Sequence, residues 1–522
     1  MPSVKDIESP SSLPGIDEAA EEILPFIYDK RKIVVFGDYD CDGICATAVM
    51  VRTLRALGAN CVPFLPKRVG EGYGMTSASL DRMFREHSDV ALVITVDNGI
   101  NSVDEVKFLV ETKGVSIVVT DHHLPGEVLP KCTIVNPSVN APKSLSSLCG
   151  AAVAFMLANR IVVLSKIQGK YTGGKIGGAA LVLAGLATVT DVMPLIGINR
   201  IFVHEALRRF HEFAPHGLKE LIKLAKTDVN AVEEPPKAPT VKDFGFAIGP
   251  RINAPGRMAT GEAALNLLLC DKVENVSDFA KTVDEFNNAR KAHEQGMVDE
   301  AMRSVVAGAP AQVIDLPNGM PGVAGIVASR LLENLGGKTP VCVIASGHGS
   351  ARAPDGFNIR KAFEACSEYL NRFGGHAAAA GFSVKEGQLD DFRAALSEYA
   401  QRNLPQDEQR EECYDIDLCV DEITNEFYAE VQLMEPFGEG NLEPIFKLKD
   451  AIVDQVRLIG ADKKHLSFMI GPRRAVWRNH GQMFTELSQN RKRDIYFSLK
   501  FSDYSRSVEL IVKSISNCSS LH

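Results

Sequence analysis

The sequence is short of several things, and each shortage excludes a class of protein. It has one tryptophan, Trp477, and aromatics make up only 7% of its 522 residues. Its eleven cysteines are scattered, odd in number and nowhere spaced C-x-x-C. That pattern argues against a disulfide framework and for a reduced, cytoplasmic protein. No apolar run approaches the roughly 18 residues that a bilayer crossing needs, so no membrane partner is expected. The opening MPSVKDIESPSSLPGIDEAAEE is acidic and polar, unlike a signal peptide. A net charge of −9 excludes a generally nucleic-acid-coating surface while leaving room for a local basic groove. With 45% hydrophobic and 24% charged residues, the composition is that of a globular chain long enough for three or four domains.

What is present centres on Lys32 to Met50. The apolar run Ile33 to Phe36 stops at Gly37, and Asp38, Asp40 and Asp42 follow at alternate positions before Gly43 opens a helical segment that continues through Ala46 to Leu57. In open α/β sheets ligands sit outside the carboxyl ends of strands. Three acids crowded there repel one another unless cations neutralise them, which points to a divalent metal site. The pattern recurs. Ala91 to Thr95 runs into Val96-Asp97-Asn98-Gly99, Ser116 to Thr120 into Asp121-His122-His123, and Cys132 to Val135 into Asn136-Pro137. Continuous β-branched runs separated by helices predict a parallel sheet covered on both faces. Asp38, Asp40, Asp42, Asp97, His122 and His123 then fall along one sheet edge. A further short strand from Cys61 leads into a Gly-rich loop with Lys67, Arg68 and Tyr73, suited to meet a phosphate and stack on a base. Leu148 to Leu164 reads as a buried helix. Leu181 to Val189 is another, and Asp191 follows it closely enough to need a partner or a metal.

Residues 198 to 226 read as amphipathic helix, and 232 to 240 (VEEPPKAPT) as an excursion. In FAIGPRINAPGRM (246 to 258), Arg251 and Arg257 stand around glycines as a phosphate clamp. Residues 271 to 306 predict one long spacer helix with a polar stripe of Asn287, Arg290 and His293. Beyond it, Gly322 to Arg330, Gly349 to Arg352 and Phe373 to His376 each pair tight backbone with Arg, Ser or His, describing a second phosphate-binding face. An acidic connector spans 406 to 427. From Ala451 the composition turns to short strands, with turns near Asp462, Gly471 and Ser502. There twelve Lys+Arg face six Asp+Glu, and Phe468, Trp477, Tyr496 and Tyr504 interleave with Arg473, Arg474, Arg478, Arg491 and Arg493. Basic residues among aromatics on a small barrel are the single-strand-binding pattern of an OB-type domain. The expected fold class is therefore α/β. A parallel-sheet domain (1–270) is joined by a long helix (271–308) to a smaller α/β domain (309–405), and an acidic connector and OB-type β-barrel (406–522) follow.

The segments GDYDCDG, VDNG, TDHH and ATVTDVMPL resemble the motifs of the DHH phosphoesterases. GPRINAPGRM, GIVASR, GSAR, FGGHAAAAG and LMEPFGEGNLEP narrow the resemblance to the RecJ branch, single-strand-specific 5′→3′ DNA exonucleases, from about Ile16 to the C-terminus. The resemblance implies two divalent ions, Mn²⁺ preferred and Mg²⁺ otherwise, held by Asp40, Asp42, Asp97, His122 and Asp191 with Asp38 in the same cluster. Mixed carboxylate and imidazole donors suit Mn²⁺ chemically. It further implies that His123 faces the scissile phosphate and that a DHHA1-type second lobe holds phosphates through Ser350, Arg352 and His376. Arg352 would also stabilise charge in the reaction. Arg251, Arg257 and Arg330 would add contacts, and Arg68 with Tyr73 would meet the nucleotide at the cleavage point. The implied substrate is single-stranded DNA, with RNA and protein partners in repair or replication left open. Three positions depart from the family pattern: Met320 for a histidine, Ala353 for a serine and Pro255 for a small residue. Two rivals share the fold, phosphodiesterases of short oligonucleotides and non-catalytic replication scaffolds. The basic β-domain argues against the first, and the complete set of acids and histidines against the second.

Overall fold

The computed structural model describes residues 3–517 except 69, 73, 172–176, 227–237, 406–412 and 503–504. Its first sheet contains β1 (Ile33–Phe36), β2 (Cys61–Phe64), β3 (Leu92–Val96), β4 (Ser116–Thr120) and β5 (Thr133–Val135) in the order β2-β1-β3-β4-β5, all parallel. Alternate side chains leave a strand on opposite faces, and here each face has its own core. Ile33, Val35, Leu92, Ile94, Val96 and Val118 join α1 (Ile16–Tyr28) and α2 (Cys41–Ala56) in one, whereas Val34, Phe36, Val93, Ile117 and Val119 join α3 (Ser77–Glu86) in the other. Being buried on both sides is why these strands read as unbroken apolar runs. Phe36 lies opposite Thr95 and Thr95 opposite Val119, so β1, β3 and β4 end level.

Two sequence expectations shift. The helix after the acids begins at Cys41, because the Asp40 side chain accepts from the Gly43 amide and caps it. Asp42 is thus in the first helical turn rather than in a loop. The helix α4 (Gly150–Ile167) is, by length and composition, apolar enough to cross a membrane, contrary to the expectation that no run approaches that length. It is instead a core helix, most of it buried against α1 and α2.

Next come α5 (Gly178–Thr190) and three helices, Gly197–Arg208, Phe210–Phe213 and His216–Lys226, where one amphipathic stretch was expected. Most of the excursion at 232–240 lies outside the described residues. The segment read as a clamp around glycines is helical: a π-turn, Asp243–Ile248, runs straight into α6 (Gly249–Met258). The spacer is the 31-residue helix α7 (Val273–Arg303), as its periodicity predicts.

The second lobe carries β6 (Gln312–Leu316), α8 (Ala324–Asn334), β7 (Val341–Ala345), β8 (His348–Arg352), β9 (Leu370–Gly375) and β10 (Ala379–Val384), with sheet order β6-β7-β8-β10-β9. By contacts the chain forms two compact units. Residues 3–193 and 197–407 make one, which contains both lobes, and Glu408–His522 with Pro194–Ile196 make the other. The latter holds a seven-stranded sheet of β11 (Ile416–Asp417), β12 (Phe446–Ile452), β13 (Asp454–Ile459), β14 (His465–Ile470), β15 (Arg473–Trp477), β16 (Lys492–Ser502) and β17 (Ser507–Asn517), ordered β11-β12-β16-β17-β15-β14-β13. Here the basic-aromatic expectation needs correction. Phe468, Trp477 and Tyr496 are buried, the first two in the core of the sheet, and Tyr504 lies outside the described residues. Arg474 pairs with Glu509, Arg491 with Asp454 and Arg493 with Glu486.

Candidate metal and phosphate site

The level strand ends of the first sheet gather the predicted acids. Asp38, two residues past the end of β1, is 1% exposed, and neither of its carboxylate oxygens has a hydrogen-bond partner among the described residues. Burial, and then the neighbouring Asp40, hold its pKa well above the ordinary carboxylate value. Asp42 is gripped from across the fold: its Oδ2 accepts from the Gly150 amide and its Oδ1 from the Ala151 amide, both at 2.7 Å. These are the first amides of α4, so a helix N-terminus faces the carboxylate. Gly150 is required for that approach, because a Cβ there would lie 2.5 Å from the Cβ and Oδ1 of Asp97. Asp97 itself sits just past β3 with φ 64°, in the left-handed region.

His122 binds the cluster together. Its Nε2 is 3.1 Å from Asp97 Oδ1 and 3.7 Å from both Asp42 Oδ2 and Asp191 Oδ2. Asp191 caps the C-terminal end of α5, and burial, followed by the charges of Asp42 and Asp40, pushes it up to about 8. Three overlapping triads, Asp38–Asp40–Asp97, Asp42–His122–Asp191 and Asp97–His122–His123, each bring one ligand atom per residue within 4.8 Å of one another. Without cations this crowd is unfavourable: burial and mutual repulsion raise Asp38, Asp42 and Asp97 alike. Orphaned buried oxygens on Asp38 and a mixed oxygen and imidazole donor set fit divalent metal ions.

Asp121, which sequence reasoning did not single out, is bonded into the site. Its Oδ1 accepts from His123 Nδ1 at 2.7 Å and from the amides of His122 and His123, and its Oδ2 from the Ile100 amide. Burial disfavours a charged His123, but the Asp121 bond and the charges of Asp121, Asp191 and Asp42 together outweigh it and raise the imidazole to about 9. The signal was there, an acid directly before two histidines, but its role depends on bonds that sequence order does not reveal.

A second group is cationic. The Arg68 guanidinium stacks 5.2 Å from the Tyr39 ring centroid. Arg257 is lowered to about 10 by burial, then by Arg68, with Asp40 pulling the other way and Arg352 adding to the repulsion. Arg352 is lowered by burial and again by Arg68. Arg68, Arg257 and Arg352 are thus near enough to repel one another, and Arg257 also feels the charge of Asp40. Ser350 and Arg352 alternate along β8 and so share a sheet face. Ala379 pairs with Arg352, and the His376 amide donates to the Ala379 carbonyl, so exposed His376 sits at the same corner. The two lobes meet where Arg257 Nη1 donates to the Gly322 carbonyl at 3.2 Å. A Cβ on Gly322 would lie 2.1 Å from the Arg257 carbonyl oxygen.

Other predicted residues are not brought to this space. Arg251 is largely buried, donating to Asp284 at 2.7 Å and to the Ala247 carbonyl, so the expected two-arginine clamp reduces to Arg257. Arg330 pairs with Glu294, which Arg290 also holds. Tyr73 lies outside the described residues. The three departures have packing roles: Met320 lies against the core under α8, Ala353 is in the core of the second lobe, and Pro255 is buried in the last turn of α6.

A parallel sheet whose strand ends carry five acids and a histidine pair, with a second lobe presenting arginines to them, is the architecture of a DHH phosphoesterase. Residues 32–186 match the DHH family N-terminal domain, 308–402 the DHHA1 domain and 414–514 the RecJ OB domain. The chain belongs to the RecJ family. It is 35% identical over 484 residues to the single-stranded-DNA-specific exonuclease RecJ of Thermus thermophilus, an alignment covering 91% of this chain and 68% of that relative. It is 34% identical over 478 residues to the RecJ of Bacillus subtilis, covering 89% of this chain but 58% of that longer relative. The crystal structure of Thermus thermophilus RecJ with Mn²⁺ matches with a TM-score of 0.84 at 31% identity, covering 98% of this chain and 72% of that one. The same organism's RecJ with Mg²⁺ matches at 0.77 and 28% identity, covering 97% and 71%.

Proposed function

We propose that this chain is an exonuclease specific for single-stranded DNA, working from the 5′ end and releasing 5′-mononucleotides in DNA repair or recombination in the cytoplasm. The observation that carries the reading is the juxtaposition of an acid–histidine cluster with Arg68, Arg257 and Arg352 in a member of the RecJ family. Asp40, Asp42, Asp97, His122 and Asp191, with Asp38 beside them, would hold two divalent ions, Mn²⁺ in preference to Mg²⁺. Such ions, when bound, acidify a water and neutralise phosphodiester charge.

The rest of the chemistry falls to the chain's own side chains. Arg352, Arg257 and Arg68 grip the phosphate that is cut and its neighbours, since a guanidinium offers a rigid fork to phosphate oxygens. His123, oriented through Nδ1 by Asp121, presents the far side of its ring to the scissile phosphate and donates to an oxygen on which charge develops. Ser350 and His376 hold the phosphates of the 5′ end. The arginine space beside the sheet edge admits one strand, and a duplex is excluded by its width.

The test is digestion of 5′-blocked, 3′-blocked and unblocked single strands, a duplex and a dinucleotide, with Mn²⁺, Mg²⁺ or chelator. Loss of the unblocked and 3′-blocked single strands alone, into mononucleotides and only with metal, is the expected result. Cleavage confined to the dinucleotide moves a small-substrate phosphodiesterase to the front, and binding without cleavage favours a scaffold.

A further inference from the structure

Arg68 is carried on a loop between β2 and α3, and Glu71 ties that loop to α3. Glu71 and Arg82 form a two-point ion pair, Nε to Oε1 at 2.6 Å and Nη2 to Oε2 at 3.0 Å, with both side chains about one-tenth exposed. Such forked pairs are short, directional and among the stronger hydrogen-bonded contacts. Arg82 is fixed from every side. Nη2 also donates to the Leu65 carbonyl at 2.6 Å, Nη1 to Glu86 at 3.1 Å, and the guanidinium lies 4.1 Å over the Phe64 ring at the end of β2. Glu71 is fixed as well. Its Oε2 accepts from the Lys67 amide at 2.8 Å, and its own carbonyl accepts from Thr76 Oγ1 at 3.0 Å. Lys67 is the residue before Arg68, so one carboxylate ties the backbone that presents Arg68 to the helix behind it.

Arg68 in turn reaches the ring of Tyr39, the residue between Asp38 and Asp40. The route from Arg82 to the acid cluster is therefore a chain of direct contacts: Arg82, Glu71, the Lys67 amide, Arg68, Tyr39. Among the described residues, neither Glu71 nor Arg82 has a bond to the acids or to the side chains of Arg68, Arg257 or Arg352.

We propose that Glu71 and Arg82 are positioning residues for phosphodiester cleavage, acting by fixing the loop that holds Arg68 against Tyr39 beside the acid cluster. The proposal rests on the nuclease reading above. A misplacement of about 1 Å in a positioned group costs on the order of 100-fold in rate. Glu71→Gln keeps the size of the side chain and removes the charge that grips Arg82, and Glu71→Asp restores charge with a shorter reach.

The experiment compares wild type, Glu71→Gln, Glu71→Asp, Arg68→Ala and the Arg68→Ala/Glu71→Gln double variant. Each is assayed for kcat and KM on a single strand and for the rise in melting temperature on adding Mn²⁺. Expected are a fall of ten-fold or more in kcat/KM for Glu71→Gln, partial recovery in Glu71→Asp, no further loss from Glu71→Gln once Arg68 is alanine, and a Mn²⁺-induced stabilisation equal to wild type. Equal losses from Glu71→Gln in both backgrounds, or a shrunken Mn²⁺ response, overturn the proposal, because the pair then acts on the fold at large. If the wild type fails to cut single strands, it is the nuclease reading that falls. Arg82→Lys supplies a second arm: it keeps the charge but loses the fork, and a wild-type kcat/KM in that variant also sinks the idea.

Discussion

Asp97 shows how much a single position has to satisfy. It stands at a left-handed φ of 64°, touches His122 and lies against Gly150. Asparagine tolerates that backbone, whereas alanine adds strain of about 1 kcal/mol. Asp97→Asn is therefore the cleaner probe of charge. In chelator it should melt at or above the wild-type temperature, since one buried, repelled carboxylate is gone, and it should lose both cleavage and most of the stabilisation that Mn²⁺ gives the wild type. A full Mn²⁺ response in Asp97→Asn refutes the ligand assignment. Asp121→Asn addresses the residue behind the site: removing the charge that holds His123 should cost roughly 10- to 100-fold in kcat while binding of single strands stays near normal. Unchanged kcat would make Asp121 a purely structural acid. The acids and histidines were legible in the sequence because each follows an apolar run. The roles of Gly150 and Asp121 were not, because one depends on contact with Asp42 and Asp97 far away in the chain and the other on a bond made after the turn has formed.

At the scale of elements, the strands were legible almost to the residue, since burial on both faces forces continuous apolar composition. Helix starts were less so. Asp40 can be read either as a loop acid or as a cap, and only the Gly43 bond decides. Arg251 illustrates the same limit, since its partner Asp284 lies on the next long helix. The end of α5 is unusual. Asp191 closes the helix, and the next residue, Val192, takes a φ of 56° where glycine is normal. A β-branched residue in that region is strained, and Val192 is 64% exposed, so little packing compensates. Val192→Gly should raise unfolding stability by about 1 kcal/mol, read as a shift in denaturant midpoint. If relaxing this turn lets Asp191 drift, metal-dependent activity will fall even as stability rises. A drop in stability would show that the turn is not strained.

For the whole molecule, the C-terminal sheet is less of a single-strand platform than its composition suggested, because Phe468 and Trp477 went to its core and three arginines to ion pairs. What it offers a strand are exposed cations without an ion pair among the described residues, such as Arg457, Lys463, Arg478 and Lys500. Binding there should be electrostatic. Alanine at Arg457 or Arg478 should lower the slope of log affinity against log salt by roughly 0.7 each on long single strands, without changing cleavage of very short ones. Slopes that stay at the wild-type value would remove this face from substrate binding. The close seat of Gly322 on the Arg257 carbonyl has a different kind of consequence. At that contact main-chain atoms set the spacing, and the Arg257 guanidinium bridges it by donating to the Gly322 carbonyl. The contact works like the stop in a hinge: a methyl group added at Gly322 has no room against the Arg257 carbonyl and would force the two lobes apart at that one point.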